Sequence, residues 1–465
     1  MAITFFRKKS ISDITESATE DEGLKRSLSA TDLIMLGVGG TIGAGIFVLT
    51  GQAAANHAGP AIILSFVLAG IAAGLAAYCY AELASMIPAA GSAYTYAYVS
   101  FGELVAWMIG WLLILELSFG AAAVAIGWSG YVKSFLAGFG FEMPAMWASS
   151  MFVDEGGGFN ILAALNILAV SAILYRGMKV SSVVNSIIVV VKVAVILMFV
   201  FAAGAYVDPA HYEPFMPFGF SGAVTGAAVV FFAYLGFDIV ATTAQEAKNP
   251  QRDMAKGILG SLAICTVLYL AVAAVLVGVI PYAELNVAAP IAKALDHLNL
   301  SQLSPYIKIG AIAGLTTAIM GLLIGQNRIF YAMGRDGLLP KWTASVHKRF
   351  HSPHKTTAAV AVLVALMSGL LPIHALAELV SIGTLFAFTI VCGGVFWLRY
   401  KQPNQARGFK APFFPYLPIA GVLVNIYLMI GLPFITWTYF LIWSGIGLVV
   451  YFAYSARHSK LNRKA

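Results

Sequence analysis

Gly37-Val38-Gly39-Gly40-Thr41-Ile42-Gly43-Ala44-Gly45-Ile46-Phe47 is the stretch on which the reading of this chain turns. It lies inside an apolar block, residues 33–55, long enough to cross a bilayer, yet five of its first nine residues are glycine. Glycine inside a helix is roughly 0.8–1.0 kcal/mol less favourable than alanine. A helix entering this run is therefore weak in its middle. A second apolar block, 222–244, carries Phe231-Phe232-Ala233-Tyr234-Leu235-Gly236-Phe237-Asp238, again with a glycine mid-way and a carboxylate after it. Close helix packing through small residues is the other use of such a glycine run. The matching position of the second interruption, five blocks later, favours paired breaks.

Working outward, further apolar blocks fall near 60–80, 104–127, 160–175, 183–206, 258–280, 308–332, 357–372, 379–398, 414–433 and 435–455. A bilayer core of about 30 Å takes roughly 20 apolar residues per helical crossing. Of the 465 residues 60% are hydrophobic and 11% charged, where a soluble domain has about 25% charged. The sequence predicts an all-α integral membrane protein of twelve helices, with helices 1 and 6 discontinuous. The connections are short and leave no room for a separate soluble domain. Cys79, Cys265 and Cys392 all lie in or at the end of apolar blocks, as small buried residues do. The basic N-terminus lacks the pattern of a cleavable signal peptide, so the first crossing is expected to stay in the mature protein.

The net charge of +7 raises the question of a polyanion partner, and its distribution answers it. Lys and Arg collect in cytoplasmic loops of membrane proteins. With twelve crossings and the N-terminus inside, 24 of the 28 basic residues fall inside. Lys133, Lys293 and Lys308 fall outside, and Lys192 falls within a segment. Nucleic acid is not needed as a partner; the bilayer is. Both termini are expected in the cytoplasm, with the chain in the plasma membrane, or the inner membrane of a bacterium. His347, His351 and His354 stand in a basic inside loop without a Cys or carboxylate to complete a ligand set, so no metal is expected.

A broken helix leaves free N–H groups on one half and free carbonyls on the other. The N–H end attracts an anion and the carbonyl end a cation. Two breaks side by side suit a zwitterion, which makes an amino acid the leading substrate class. Each charge within the membrane needs a reason, since one at mid-bilayer costs at least roughly 2.5–3.5 kcal/mol. Lys192, in Val189-Val-Val-Lys192-Val-Ala-Val, can reach the freed carbonyls of segment 1 and hold that helix as a bound sodium ion would. Such a group can also gain and lose a proton. Glu116, mid-way along segment 3, either meets a cationic side chain, takes part in proton movement, or packs as a neutral carboxyl. Asp238 either caps the second half of helix 6 or touches substrate. Glu82 and Glu103, at segment ends, are expected in interfacial or gate pairs. Arg328, Arg335 and Asp336, at the inside end of segment 8, form an inner gate or a plain positive anchor.

These residues carry a resemblance. The Gly43-to-Phe47 break, the Phe231-to-Asp238 run and Lys192 resemble the amino acid–polyamine–organocation (APC) superfamily. Asn249-Pro250-Gln251-Arg252-Asp253, Gly334-Arg335-Asp336-Gly337-Leu338-Leu339-Pro340 and Ile382-Gly383-Thr384-Leu385-Phe386-Ala387 are similar to its bacterial cationic amino acid transporter branch. The resemblance covers about residues 28 to 455. It implies a five-plus-five inverted repeat, 31–206 and 207–400, then two helices over 401–455, with cytoplasmic tails at 1–30 and 456–465. It implies proton-coupled uptake in which Lys192 replaces sodium. The substrate carboxylate then meets N–H groups of Ala44 and Gly45 in the break that also holds Thr41, Ile42 and Gly43. The ammonium meets carbonyls of Phe232, Ala233 and Leu235, while Glu116, Gly321 and Leu322 line the side-chain pocket. Relatives often have Thr or Ser where Ala44 stands, and Pro where Ala255 stands.

The expected activity is alternating-access, proton-coupled uptake of an L-amino acid, cationic or small neutral. Exchange without net proton flow and a transporter-like amino acid sensor are the alternatives. No nucleophile–base set lies within the segments, so an enzyme is not expected, nor is a cofactor.

Overall fold

The computed structural model of the chain describes residues 7–11, 14, 26–89, 91–152, 157–177, 182–300, 302–347, 350 and 352–463. Much of the N-terminal tail lies outside them. So do Lys25, Lys179, Lys348, Arg349 and Lys464 of the charge pattern, and His351. Among the described residues the protein is helical, with two isolated β-bridges, Leu28 to Ala247 and Ser150 to Gly158.

Helix falls on every apolar block of the sequence. α1 (Ala30–Thr41) starts at a reciprocal capping box between Ser29 and Asp32 and stops inside the glycine run. Helical structure resumes at Gly45–Leu49 and passes through a short turn at Gly59–Ala61 into α2 (Ile62–Met86). Then come α3 (Ser92–Ser100), α4 (Glu103–Ala137), α5 (Ile161–Tyr175) and α6 (Ser182–Gly204). α7 (Gly219–Val230) opens the second broken segment. α8 (Pro250–Val279), α9 (Pro290–His297), α10 (Ser304–Arg335), α11 (His354–Leu370) and α12 (Ile373–Lys401) follow. α13 (Tyr416–Ile430) and α14 (Phe434–Val450) end the bundle.

Eight helical stretches among the described residues are long and apolar enough to cross a membrane, and α5, α11 and α13 are shorter apolar helices. At 1.5 Å per residue, the 15 residues of α5 span only about 22 Å, which explains why length alone does not mark it as a crossing. Burial orders the bundle. The most apolar window of the second broken segment is 94% buried and that of α4 83%, against 22% for the last helix. The broken segment and α4 are thus the centre, and α14 is periphery. α4 and α10 pack antiparallel in a fixed register. A Cβ on Gly120 would touch Leu322, one on Gly325 would touch Leu117, and one on Gly110 would touch Met333.

The charged residues at segment ends are paired. The buried Glu82 carboxylate accepts from Arg399 at 2.8 and 2.5 Å, from Arg407 at 3.1 Å and from the Ala411 N–H at 2.8 Å. Glu103 accepts from Tyr98, Tyr451 and Ser459. The three cysteines are free and buried.

Candidate functional site

The first break is built by one extended residue. α1 ends at Thr41, Ile42 adopts φ −72°, ψ 96°, and the chain turns back into helix at Gly45 through a wide π turn. The last carbonyls of a helix have no intrahelical donor. Here they find donors on neighbouring helices. Lys192 Nζ, fully buried on α6, donates to Gly39 O at 2.7 Å and Ile42 O at 3.0 Å. The Tyr269 hydroxyl, on α8, lies 2.8 Å from Thr41 O. The lysine stem runs against Gly314 of α10, where a Cβ would come within 2.9 Å of Lys192 Cγ. On the other side of the break, Ala44 precedes the π turn and supplies no side-chain cap.

The second break follows α7. A 3-10 turn, Phe231–Tyr234, leads to an extended Leu235 (φ −59°, ψ 131°) and then Gly236 at φ +121°. Helix returns for one turn at Ile239–Thr242. Asp238 Oδ1 accepts from the Gly236 N–H at 3.2 Å and so holds the turn from within. Only glycine takes that φ without strain, and a side chain there is blocked a second time: its Cβ would lie 2.5 Å from Gly40 C. The two breaks therefore touch backbone to backbone. They touch again where a Cβ on Gly45 would lie 2.3 Å from Ala233 Cα. Tyr269 joins them, its hydroxyl being 2.9 Å from Ala233 O as well.

Thr41, Ile42, Gly45, Ala233 and Lys192 thus gather at one place. Gly43 borders it, near Ala318 and Val124. Phe232 O accepts from the Leu235 N–H within its own turn. Leu235 and Leu322 both lie against Gly120 of α4, and Glu116 follows one turn away on that helix, buried, with Thr384 and Asp238 as polar neighbours. Gly321 has nothing within 4 Å of where a Cβ would stand. Arg328 does not pair with Asp336. Its guanidinium reaches Glu246 Oε1 at 2.6 Å and Thr242 Oγ1 at 3.2 Å, tying α10 to the end of the second broken segment. Asp336 instead holds Lys9 and the Tyr94 hydroxyl, while Arg335 lies over the Tyr331 ring. The start of α1 is tied to the same place, since Ser27 and Leu28 donate their N–H groups to Glu246 O.

Sequence reasoning missed Tyr269, Gly314 and Glu246. A tyrosine in an apolar helix carries no signal of its partner, and one glycine among several on α10 does not reveal which helix it faces. Among the described residues no group of three His, Cys, Asp or Glu stands together as a metal site would require.

A family model described as amino acid permease matches residues 28–458. The chain belongs to the amino acid permease family, within the APC superfamily. The permease is 46% identical to the methylthioribose transporter of Bacillus subtilis (strain 168), over 99% of this chain and 100% of the relative. It is 44% identical to the branched-chain amino acid permease BcaP of the same organism, over 98% and 99%. It is 31% identical to human cationic amino acid transporter 4, over 97% and 90%. This is a family of multi-pass membrane transporters and not of enzymes, and an amino acid substrate is implied by it.

Proposed function

We propose that this permease is a secondary active transporter that takes up an L-amino acid with a proton by alternating access in the plasma membrane. The reading includes twelve crossings with both termini cytoplasmic. Helices 1–5 (31–206) and 6–10 (207–400) form the inverted repeats, and helices 11 and 12 (401–455) follow. Transporters of this plan place substrate at broken helices near the midplane.

The observation that carries the reading is Lys192 in contact with Gly39 O and Ile42 O. A cation is the natural partner of freed carbonyls, and here the chain supplies its own in a form that a proton can switch. With the ammonium charged, the two carbonyls are satisfied and the break is held. When the proton leaves, the attraction weakens and the half-helices are free to part. The substrate carboxylate is assigned to the N–H groups at Ala44 and Gly45, and its ammonium to the carbonyls around Ala233. The side chain enters between Leu235, Leu322 and Gly120, walls that suit an aliphatic group. The 44% identity to a branched-chain amino acid permease supports a neutral substrate of that kind.

Uptake of radiolabelled L-valine into proteoliposomes tests this. Accumulation driven by an inward proton gradient, and lost when the gradient is collapsed, is the expected result. Counterflow that persists without any gradient-driven accumulation would make the chain an exchanger. Binding without flux would make it a sensor.

A further inference from the structure

One helical turn from the point where Leu235 and Leu322 flank Gly120, toward the Asp336 end of α10, polar atoms collect that neither break uses. Glu116 on α4, Gln326 on α10, Tyr80 on α2 and Tyr96 on α3 are all at most 1% exposed. Among the described residues, Glu116 Oε1, both amide atoms of Gln326, and the hydroxyls of Tyr80 and Tyr96 have no hydrogen-bond partner. The α4–α10 register, with Gly120 at Leu322 and Leu117 at Gly325, sets Glu116 level with Gln326. Tyr80 packs edge-on at 6.1 Å from Tyr96 and at 6.0 Å from Phe237, the residue after Gly236 in the second break. Glu116 and Asp238 are the charges nearest its hydroxyl in effect. Tyr80, Tyr96 and Glu116 thus bring unsatisfied groups of three helices together, and the α4–α10 register adds Gln326 of a fourth.

Nearly all buried polar groups in folded proteins are hydrogen-bonded, so each exception asks for a reason. Five such atoms in one neighbourhood ask for a shared one. Their chemistry narrows it. The amide of Gln326 offers two donors and an acceptor oxygen, each tyrosine hydroxyl donates and accepts, and an ionised Glu116 only accepts. An aliphatic end would leave every one of them unpaired. A cationic end could donate to Glu116, to the Gln326 carbonyl oxygen and to the tyrosine oxygens, but it offers no acceptor to the Gln326 N–H groups. A hydroxyl group gives and takes.

We infer that Gln326, with Tyr80, Tyr96 and Glu116, forms a polar subsite at the foot of the cleft that takes a hydroxyl at the far end of the substrate. This rests on the reading of the cleft given above. Leu322 lines the side-chain space, and Gln326 stands four residues, about 6 Å, beyond it. That is the reach of a δ-hydroxyl on an amino acid side chain.

5-Hydroxy-L-norvaline and L-norleucine differ only by hydroxyl for methyl at that position. In competition against L-valine uptake into proteoliposomes, the wild-type protein is expected to favour hydroxynorvaline over norleucine by about tenfold, because a site built around hydrogen bonds rejects the analogue that lacks them. In Gln326→Met and, separately, in Tyr80→Phe, the ratio is expected to fall to about one. Competition by norleucine reports in each variant that the protein is folded. A ratio unchanged in both variants would overturn the subsite, as would a wild-type ratio of one, the result for groups that only hold water. Stronger competition by L-lysine than by hydroxynorvaline would overturn it in favour of a cation subsite. If neither compound competes and valine is not taken up, the cleft reading itself falls.

Discussion

The ammonium of Lys192 sits 2.7 Å from the carbonyl oxygen of Gly39, a residue 153 positions earlier in the chain. The contact joins α6 to the end of α1 at the depth where that helix stops. Removing the ammonium leaves two buried carbonyls without donors, each unsatisfied group costing about 1–3 kcal/mol. Lys192→Ala is therefore expected to lower proton-driven accumulation of L-valine by at least about tenfold in proteoliposomes, with counterflow less affected. Wild-type accumulation in that variant would remove the lysine from the coupling mechanism.

Gly236 is held by two constraints at once, its φ of +121° and the Gly40 backbone against it. Forcing an L-residue into a left-handed conformation costs roughly 1–2 kcal/mol, and here the methyl also meets backbone that cannot move aside. Gly236→Ala should lower the melting temperature in detergent by several degrees and depress transport. Gly74, with nothing within 4 Å of its would-be Cβ, is the control: Gly74→Ala should leave both within error. Equal behaviour of the two variants would show that the breaks do not touch as described.

Glu82 balances two arginines, Arg399 and Arg407, in a nearly dry setting. Breaking a buried pair by removing one partner typically costs 3–5 kcal/mol; part exposure of Arg399 puts the expectation for Glu82→Gln at about 2–4 kcal/mol. Thermal or denaturant unfolding of the purified protein measures this. A variant as stable as wild type would mean that the arginines find other acceptors.

Arg328 links α10 to Glu246 and Thr242 at the end of the second broken segment. Part-exposed ion pairs contribute about 0.2–1 kcal/mol, so Arg328→Ala should shift the equilibrium toward an inside-open form by up to about fivefold. Cys265 is a built-in reporter, since its buried thiol neighbours Tyr269 and the Thr41 side chain. In inside-out vesicles its labelling by a maleimide should speed up by that factor in Arg328→Ala. A labelling rate equal to wild type would exclude this pair as an inner closure.

What could be read in advance divides along physical lines. The apolar blocks were legible because a bilayer imposes a length and a composition on every crossing. Lys192 was legible because a charge in such a block has few ways to be satisfied, and freed carbonyls are one of them. Gly236 and the glycine run were legible as weak points, since propensity is local. Tyr269 was not, because which of 20 tyrosines points its hydroxyl at two carbonyls is decided by helix rotation. The same holds for Gly314 against the lysine stem and for Gln326 opposite Glu116, which only the α4–α10 register brings level. Arg328 and Asp336 lie eight positions apart and read as natural partners. Their actual partners, Glu246 and Lys9, come from elsewhere in the chain.

Tyr269 stands between Thr41 O and Ala233 O with one proton to give. A phenol donates a single hydrogen bond, so the link between the two breaks exists in two equivalent forms that interconvert by a rotation about one C–O bond. At any instant the phenol proton serves one carbonyl and not the other. The join is thus a frustrated one, and pulling the halves apart forfeits at most a single hydrogen bond, about 1 kcal/mol. A tie of that strength orders the closed form without trapping it, which is what the proposed opening on each side in turn requires of the contact at the centre.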